Sequence, residues 1–238
     1  MASKNSLGDK VHFGTPTEVA DAFQQMVARF TSAGEWISGH VQRAEQSLAL
    51  VNLLAASIGY LKVAADNIDA HISVQAMVTR SLYEINLQVR DILGSSHGLR
   101  RWQAESVTDK IQVLEGVLEL DTVGDTERRR AVLQTEIDRL RSLRQKYNLP
   151  EIRPSAAGNI AKSVGLSKEH SALFKLFSKL VHPSSYLVND YKNAASEEIR
   201  KMLQIHAQLY AWDTFGRICD AVSMPKSIRE NLERGVGL

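Results

Sequence analysis

The sequence predicts an all-α fold, a mostly antiparallel helical bundle forming a single domain. Three observations carry that prediction. Apolar residues recur at helical spacing along most of the chain. Only 5 prolines and 14 glycines occur in 238 residues, so long helices meet few breaks. Short β-branched runs bounded by turns are missing, and no hairpin dipeptide joins two alternating segments.

The elements follow in chain order. Residues 1–14 read as a flexible N-terminal tail, and 15–238 as the all-α domain. Thr15-Pro16-Thr17-Glu18 is a helix start, with Thr15 as N-cap, Pro16 in the first turn and Glu18 closing a capping box. That helix is expected to reach about Ser32 and to break at Gly34, with a second helix over 35–65. Within it, SLALVNLLAASIGYL is interrupted by Asn52 and Ser57 and is shorter than the ~20 apolar residues a bilayer requires. It reads as a core helix, and no membrane partner is expected.

A third helix is predicted over about 68–93. Its apolar residues, among them Ile72, Val78, Leu82, Ile85, Val89 and Ile92, run almost all the way round, which places it in the middle of a bundle. Residues 98–147 read as a charged helical hairpin. Its first arm carries Val107, Ile111, Leu114 and Leu118, and its second carries Leu133, Ile137 and Leu140. The turn is DTVGD, with Asp125 or Thr126 as cap for the second arm. Pro150 and Pro154 keep the next stretch out of helix. Shorter helices are expected over 155–164 and 168–181, then a long one from Ser196 to about Val222. A last short one follows over 223–234, stopped by Gly235.

Composition excludes several function classes. The 44% hydrophobic and 24% charged content is that of a soluble globular protein. A net charge of +2 is too mild to argue for nucleic acid without clustering. The single cysteine, Cys219, rules out an internal disulfide and a cysteine-rich metal site, and fits a reducing cytoplasm. It reads as a core filler. MASKNSLGDK lacks the apolar run of a signal peptide. Histidines 12, 40, 71, 97, 170 and 206 show no paired metal-ligand spacing, and no glycine-rich phosphate loop occurs. No metal or cofactor is expected.

Two polar blocks stand out. In the third helix Arg80 and Glu84 share a face amid apolar neighbours. Charge in a buried helix requires a partner, so the two form a buried packing pair, a polar pocket with Arg80 as anion anchor, or an exposed pair on the surface. The second block is KLFSKLVHPSSY. Pro183 forces the helix to end at His182, and a protonated histidine there gains from the helix dipole. Lys175 and Ser178 lie on the same face as His182; Lys179, Ser184 and Ser185 are close in sequence. The cluster suits phosphate binding or the positioning of a general base.

The blocks Arg80-Ser-Leu-Tyr-Glu84 and Ser178-Lys-Leu-Val-His182-Pro183-Ser184, the latter led in by Val164-Gly165-Leu166-Ser167, resemble domain-of-unknown-function family 5677. That is a group of bacterial and phage-borne helical proteins. The resemblance covers roughly 50–100 and 155–190 and implies a fold without a reaction. A more distant similarity is to HEPN-type domains, helical bundles of toxin and phage-defence systems. Many of these are dimeric, metal-independent ribonucleases with an arginine and a histidine set four to six intervening residues apart. That likeness implies an RNA-directed effector with catalytic His182, Arg80 and Glu84. The pattern departs at positions 175–177, which hold Lys175, Leu176 and Phe177 where an arginine is required, and lysine lacks the guanidinium fork.

Arg100-Arg101-Trp102 combines cation and aromatic as a base-stacking element does, and equally as an anchor of the hairpin. The second hairpin arm, with Arg128, Arg139, Arg141 and Arg144, is either a solvated face or a surface for RNA or a protein. Two function classes therefore stand. One is an RNA-cutting or RNA-binding effector. The other is a non-catalytic interaction module, itself a homodimer, that binds a protein partner through the 98–147 hairpin, with Arg80, Glu84 and His182 structural.

Overall fold

The computed structural model describes residues 7–120, 126–152 and 156–234, and these residues are helical without any strand. The elements are α1 (Pro16–His40), α2 (Glu45–Asp66), α3 (Ile72–Gly94), α4 (Ser96–Glu119) and α5 (Thr126–Lys146). Then come α6 (Ala157–Ser163), α7 (Ser167–Glu169), a π turn (His170–Phe174) and α8 (Lys175–Val181). The chain ends with α9 (Ser185–Asn189), α10 (Tyr191–Ala194), α11 (Glu197–Ala221) and α12 (Lys226–Arg234).

Local signals explain most boundaries. The Thr15 hydroxyl accepts from the Glu18 amide, and the Glu18 carboxylate accepts from the Thr15 amide, so the capping box forms. The predicted break at Gly34 does not occur: α1 continues to His40, and the turn falls at 41–44. One glycine costs a helix about 1 kcal/mol. The buried stripe Val19, Phe23, Met26, Phe30, Ala33 and Ile37 outweighs that. After α6 the chain reverses through Gly165, whose φ of +79° suits glycine. The Gly165 amide donates to Lys162 O and the Leu166 amide to Ala161 O, a doubly bonded C-cap.

α3 is the central helix, packed by α2, α4, α6, α8 and α11. Its all-round apolar pattern has that cause. α1 lies against α2, and α11 runs along α3. Phe30 stacks on Phe215 with ring centres 4.7 Å apart and meets Trp212 edge-on at 5.5 Å. Most polar groups buried here are paired, the Gln75 side-chain oxygen on α3 being an exception. Asp213 accepts from Asn86, Arg90 and Arg217, which locks α3 to α11.

The hairpin α4–α5 is present, and its arms share a small core of Ile111, Ile137 and Leu140, separate from the main one. Trp102 packs on the main core and anchors the hairpin's base. At the α3–α4 joint a side chain on Gly98 would come within 2.1 Å of the Asp91 carbonyl oxygen, so this tight turn demands glycine. The DTVGD turn with Asp125, Pro154, Gly235 and the first six residues of the tail lie outside the described residues, and Thr126 opens α5.

Other segments differ from the sequence reading. Residues 7–12 are tied to α11: the Trp212 indole donates to Lys10 O, and Gln208 exchanges two hydrogen bonds with the His12 backbone. The helix expected over 168–181 is interrupted by the π turn. Two short helices, α9 and α10, occupy the loop that follows His182. The third and last helices begin later than expected, at Ile72 and Lys226.

Candidate functional site

Arg80 and Glu84 lie one turn apart on α3, and their ion pair forms, with Arg80 Nε 2.9 Å from Glu84 Oε1. The side chains are 27% and 41% exposed, so the pair opens to solvent rather than being sealed in the core. It borders a cleft of about 430 Å³ between α3, α6 and the π turn. Leu87, Gln88, Gly158, Ile160, His170 and Phe174 complete most of the lining.

Phe174 links Arg80 and His170 in the cleft. The Arg80 guanidinium lies over its ring at 4.5 Å, and the His170 ring stacks on it at 4.4 Å. Arg80 is thus held by a carboxylate through Nε and by an aromatic face. Among the described residues no partner is recorded for its two terminal nitrogens. They are the pair that grips a phosphate in a bidentate contact.

His170 sits on the π turn, a local widening of the helix that is frequent at functional sites. Its Nδ1 is 3.1 Å from the Tyr83 hydroxyl, and its Nε2 faces Gly158, where an added side chain would come within 3.1 Å. Glycine there leaves room for the ring. Burial lowers the His170 pKa below its ordinary value of 6.5, and the Glu84 carboxylate partly opposes that. The imidazole is therefore neutral at pH 7. Behind it, the Tyr210 hydroxyl donates to Glu169 at 2.9 Å. Burial and the Glu169 carboxylate push both the Tyr83 and Tyr210 hydroxyls upward, so both stay protonated.

The second sequence block sits elsewhere. α8 packs on α3, yet His182 is exposed at its end and does not line the cleft. The seven residues of α8 lie between it and Phe174, a rise of about 12 Å at 1.5 Å per residue step. Lys175 and Lys179 are exposed, and neither they nor Ser178 line the cleft. Ser184 caps α9, its hydroxyl accepting from the Leu187 amide and donating to Lys179 O. Arg100 donates to the carbonyls of Tyr147 and Asn148 and so caps α5. Arg101 pairs with the buried Asp91 carboxylate. Cys219 is buried in α11, where desolvation pushes its thiol up to about 12. Among the described residues, no group of three acidic, histidine or cysteine side chains is placed to hold a metal ion.

His170, Tyr83 and Phe174 were not singled out by the sequence reading. In the sequence His170 stands only near the start of the helix expected over 168–181, without paired metal-ligand spacing. Its link to Tyr83 spans 87 positions and leaves no periodic signal.

The fold and the site together define a helical bundle with one mixed polar and aromatic cleft on its central helix. Comparison with protein-family models, with curated proteins and with solved structures finds no match to this chain.

Proposed function

We propose that this protein is an RNA-directed helical effector of the HEPN sort, acting in phage defence or a toxin system. The cleft beside Arg80 takes a backbone phosphate. The observation that carries the reading is the meeting of the Arg80–Glu84 pair with a neutral histidine in one open cleft. Arg80 supplies the phosphate grip and Glu84 orients it. His170 takes the acid–base role that the second block suggested for His182. In the tautomer whose Nδ1–H donates to Tyr83, the Nε2 lone pair is free to accept a proton. A ribose 2′-OH gives up that proton, its oxygen attacks the adjacent phosphorus, and the bond to the 5′-oxygen breaks. The leaving oxygen takes a proton from water, and the hydroxide formed takes up the proton held on His170, which returns the imidazole to its neutral form.

The test uses the purified chain and a labelled single-stranded RNA, read for binding by anisotropy and for cleavage on gels. Arg80→Ala and His170→Ala each lose at least tenfold in binding or cleavage, while His182→Ala stays close to wild type. Equal behaviour of all three variants overturns the reading.

The second reading, an interaction module, rests on the hairpin. α5 packs along α4, and its outer side, with Arg128, Val132 and Arg139, is exposed. If RNA is not bound, charge reversal on that arm is the variant that separates a protein-binding role from none.

A further inference from the structure

The outer side of α2 raises a separate question. Leu48, Asn52, Ala55 and Gly59 lie on one exposed stripe, and Leu48 is 50% exposed. From Gln46 to Leu61 the helix carries no charged residue. An exposed helical face of a soluble protein is normally polar. Along its edge runs a groove between α1 and α2. One stretch of about 480 Å³ is lined mainly by Gly34, Ser38, Val51, Ala55 and Ile58, with Glu35 of α1 as its charged member. It continues past Ser38 and Val51 to Val41 and Leu48, with Arg43 of the α1–α2 turn beside them.

We infer that this face is a two-fold interface between two copies of the chain, with their α2 helices antiparallel. The register follows from the sequence. The uncharged stretch is bounded by Glu45 at one end and Lys62 at the other. A two-fold axis across the middle of α2 sets Glu45 beside the partner's Lys62, and by symmetry Lys62 beside the partner's Glu45. The same axis sets Leu48 over the partner's Gly59 and Asn52 beside the partner's Ala55. Opposite charges meet at the ends, and the largest exposed side chain meets the residue without one.

Gly59 supports this independently. A side chain built there meets nothing within 4 Å, so the chain's own packing does not require glycine. Its cost in mid-helix is explained by what sits over it in the pair. A lipid surface also suits apolar residues, and the uncharged stretch is hydropathic enough by composition. A bilayer, however, gives no reason for the matched Glu45 and Lys62 ends.

Light scattering on the full chain tests the inference. The wild type shows twice the 26.5 kDa chain mass. Gly59→Arg, which has open space in the single chain, gives the single mass with unchanged helicity. Glu45→Lys and Lys62→Glu each weaken the dimer by about tenfold, because symmetry turns two attractive pairs repulsive. The double variant restores it. A monomeric wild type, or a dimer indifferent to Gly59→Arg, overturns the inference. So does wild-type monomer that floats with phosphatidylcholine vesicles.

Discussion

The Tyr83 hydroxyl and the His170 ring are 3.1 Å apart, although 87 positions separate them in the chain. Tyr83 is fully buried on the central helix, and His170 stands on the only widened turn among the described residues. The buried tyrosine therefore helps to set the orientation of the half-buried imidazole. Tyr83→Phe keeps the ring and removes the bond. It is expected to cost about 1 kcal/mol in urea unfolding and to leave the His170 tautomer unfixed, read as a changed imidazole nitrogen shift in NMR.

The lowered pKa of His170 has a definite consequence for stability against pH. The folded state binds its proton less readily than the unfolded chain, whose histidine titrates near 6.5. The unfolded state thus holds more protons as pH falls below that value. The His170 contribution is fully present above pH 6.5 and is lost as pH falls through the lower folded value. Urea midpoints measured across this range fall more steeply for wild type than for His170→Gln.

Asp213 binds three donors with a side chain only 16% exposed. Burial alone raises its pKa, but hydrogen bonds from Arg217 and Asn86 and the Arg90 charge hold it below the usual carboxylate value. Its stabilisation is present above the unfolded value of 3.8 and is lost as pH falls through the folded one. Asp213→Ala leaves Arg90 without its carboxylate. The expected loss is about 2–3 kcal/mol by urea unfolding at neutral pH.

Gly98→Ala drives a methyl group into the Asp91 carbonyl at the α3–α4 joint. Backbone cannot yield as a side-chain tip does. The expected cost is about 1–3 kcal/mol, with faster amide exchange in the first turn of α4.

His182→Ala is the contrasting case. The residue is exposed, ends α8 and does not line the cleft. A melting temperature unchanged from wild type is the expected result, as for other surface substitutions without a buried partner.

The bundle was largely legible because its causes are local. Thr15 and Glu18 cap each other three residues apart, and the stripes Val107-Ile111-Leu114 and Ile137-Leu140 repeat at helical spacing. Gly34 misled for a physical reason: a local cost was overridden by burial along the rest of α1. Half of the site was legible too, since Arg80 and Glu84 are out of keeping with their apolar helix. His170 was not, because its burial, its tyrosine partner and its widened turn all arise from contacts between distant helices. His182 drew attention through Pro183, which terminates a helix without implying a cleft.

The π turn has one more effect. It carries a residue more than an α-helix of the same length would hold, so the segments before and after it run out of phase. The later segment is keyed to the core by Phe177 and Leu180. The earlier one is thereby free to aim His170 at a different azimuth. Excising a single residue between Ser171 and Leu173 would restore one phase and swing the imidazole by about 100°. The extra residue works as a clutch between the part of this helix that holds the bundle together and the part that faces the cleft.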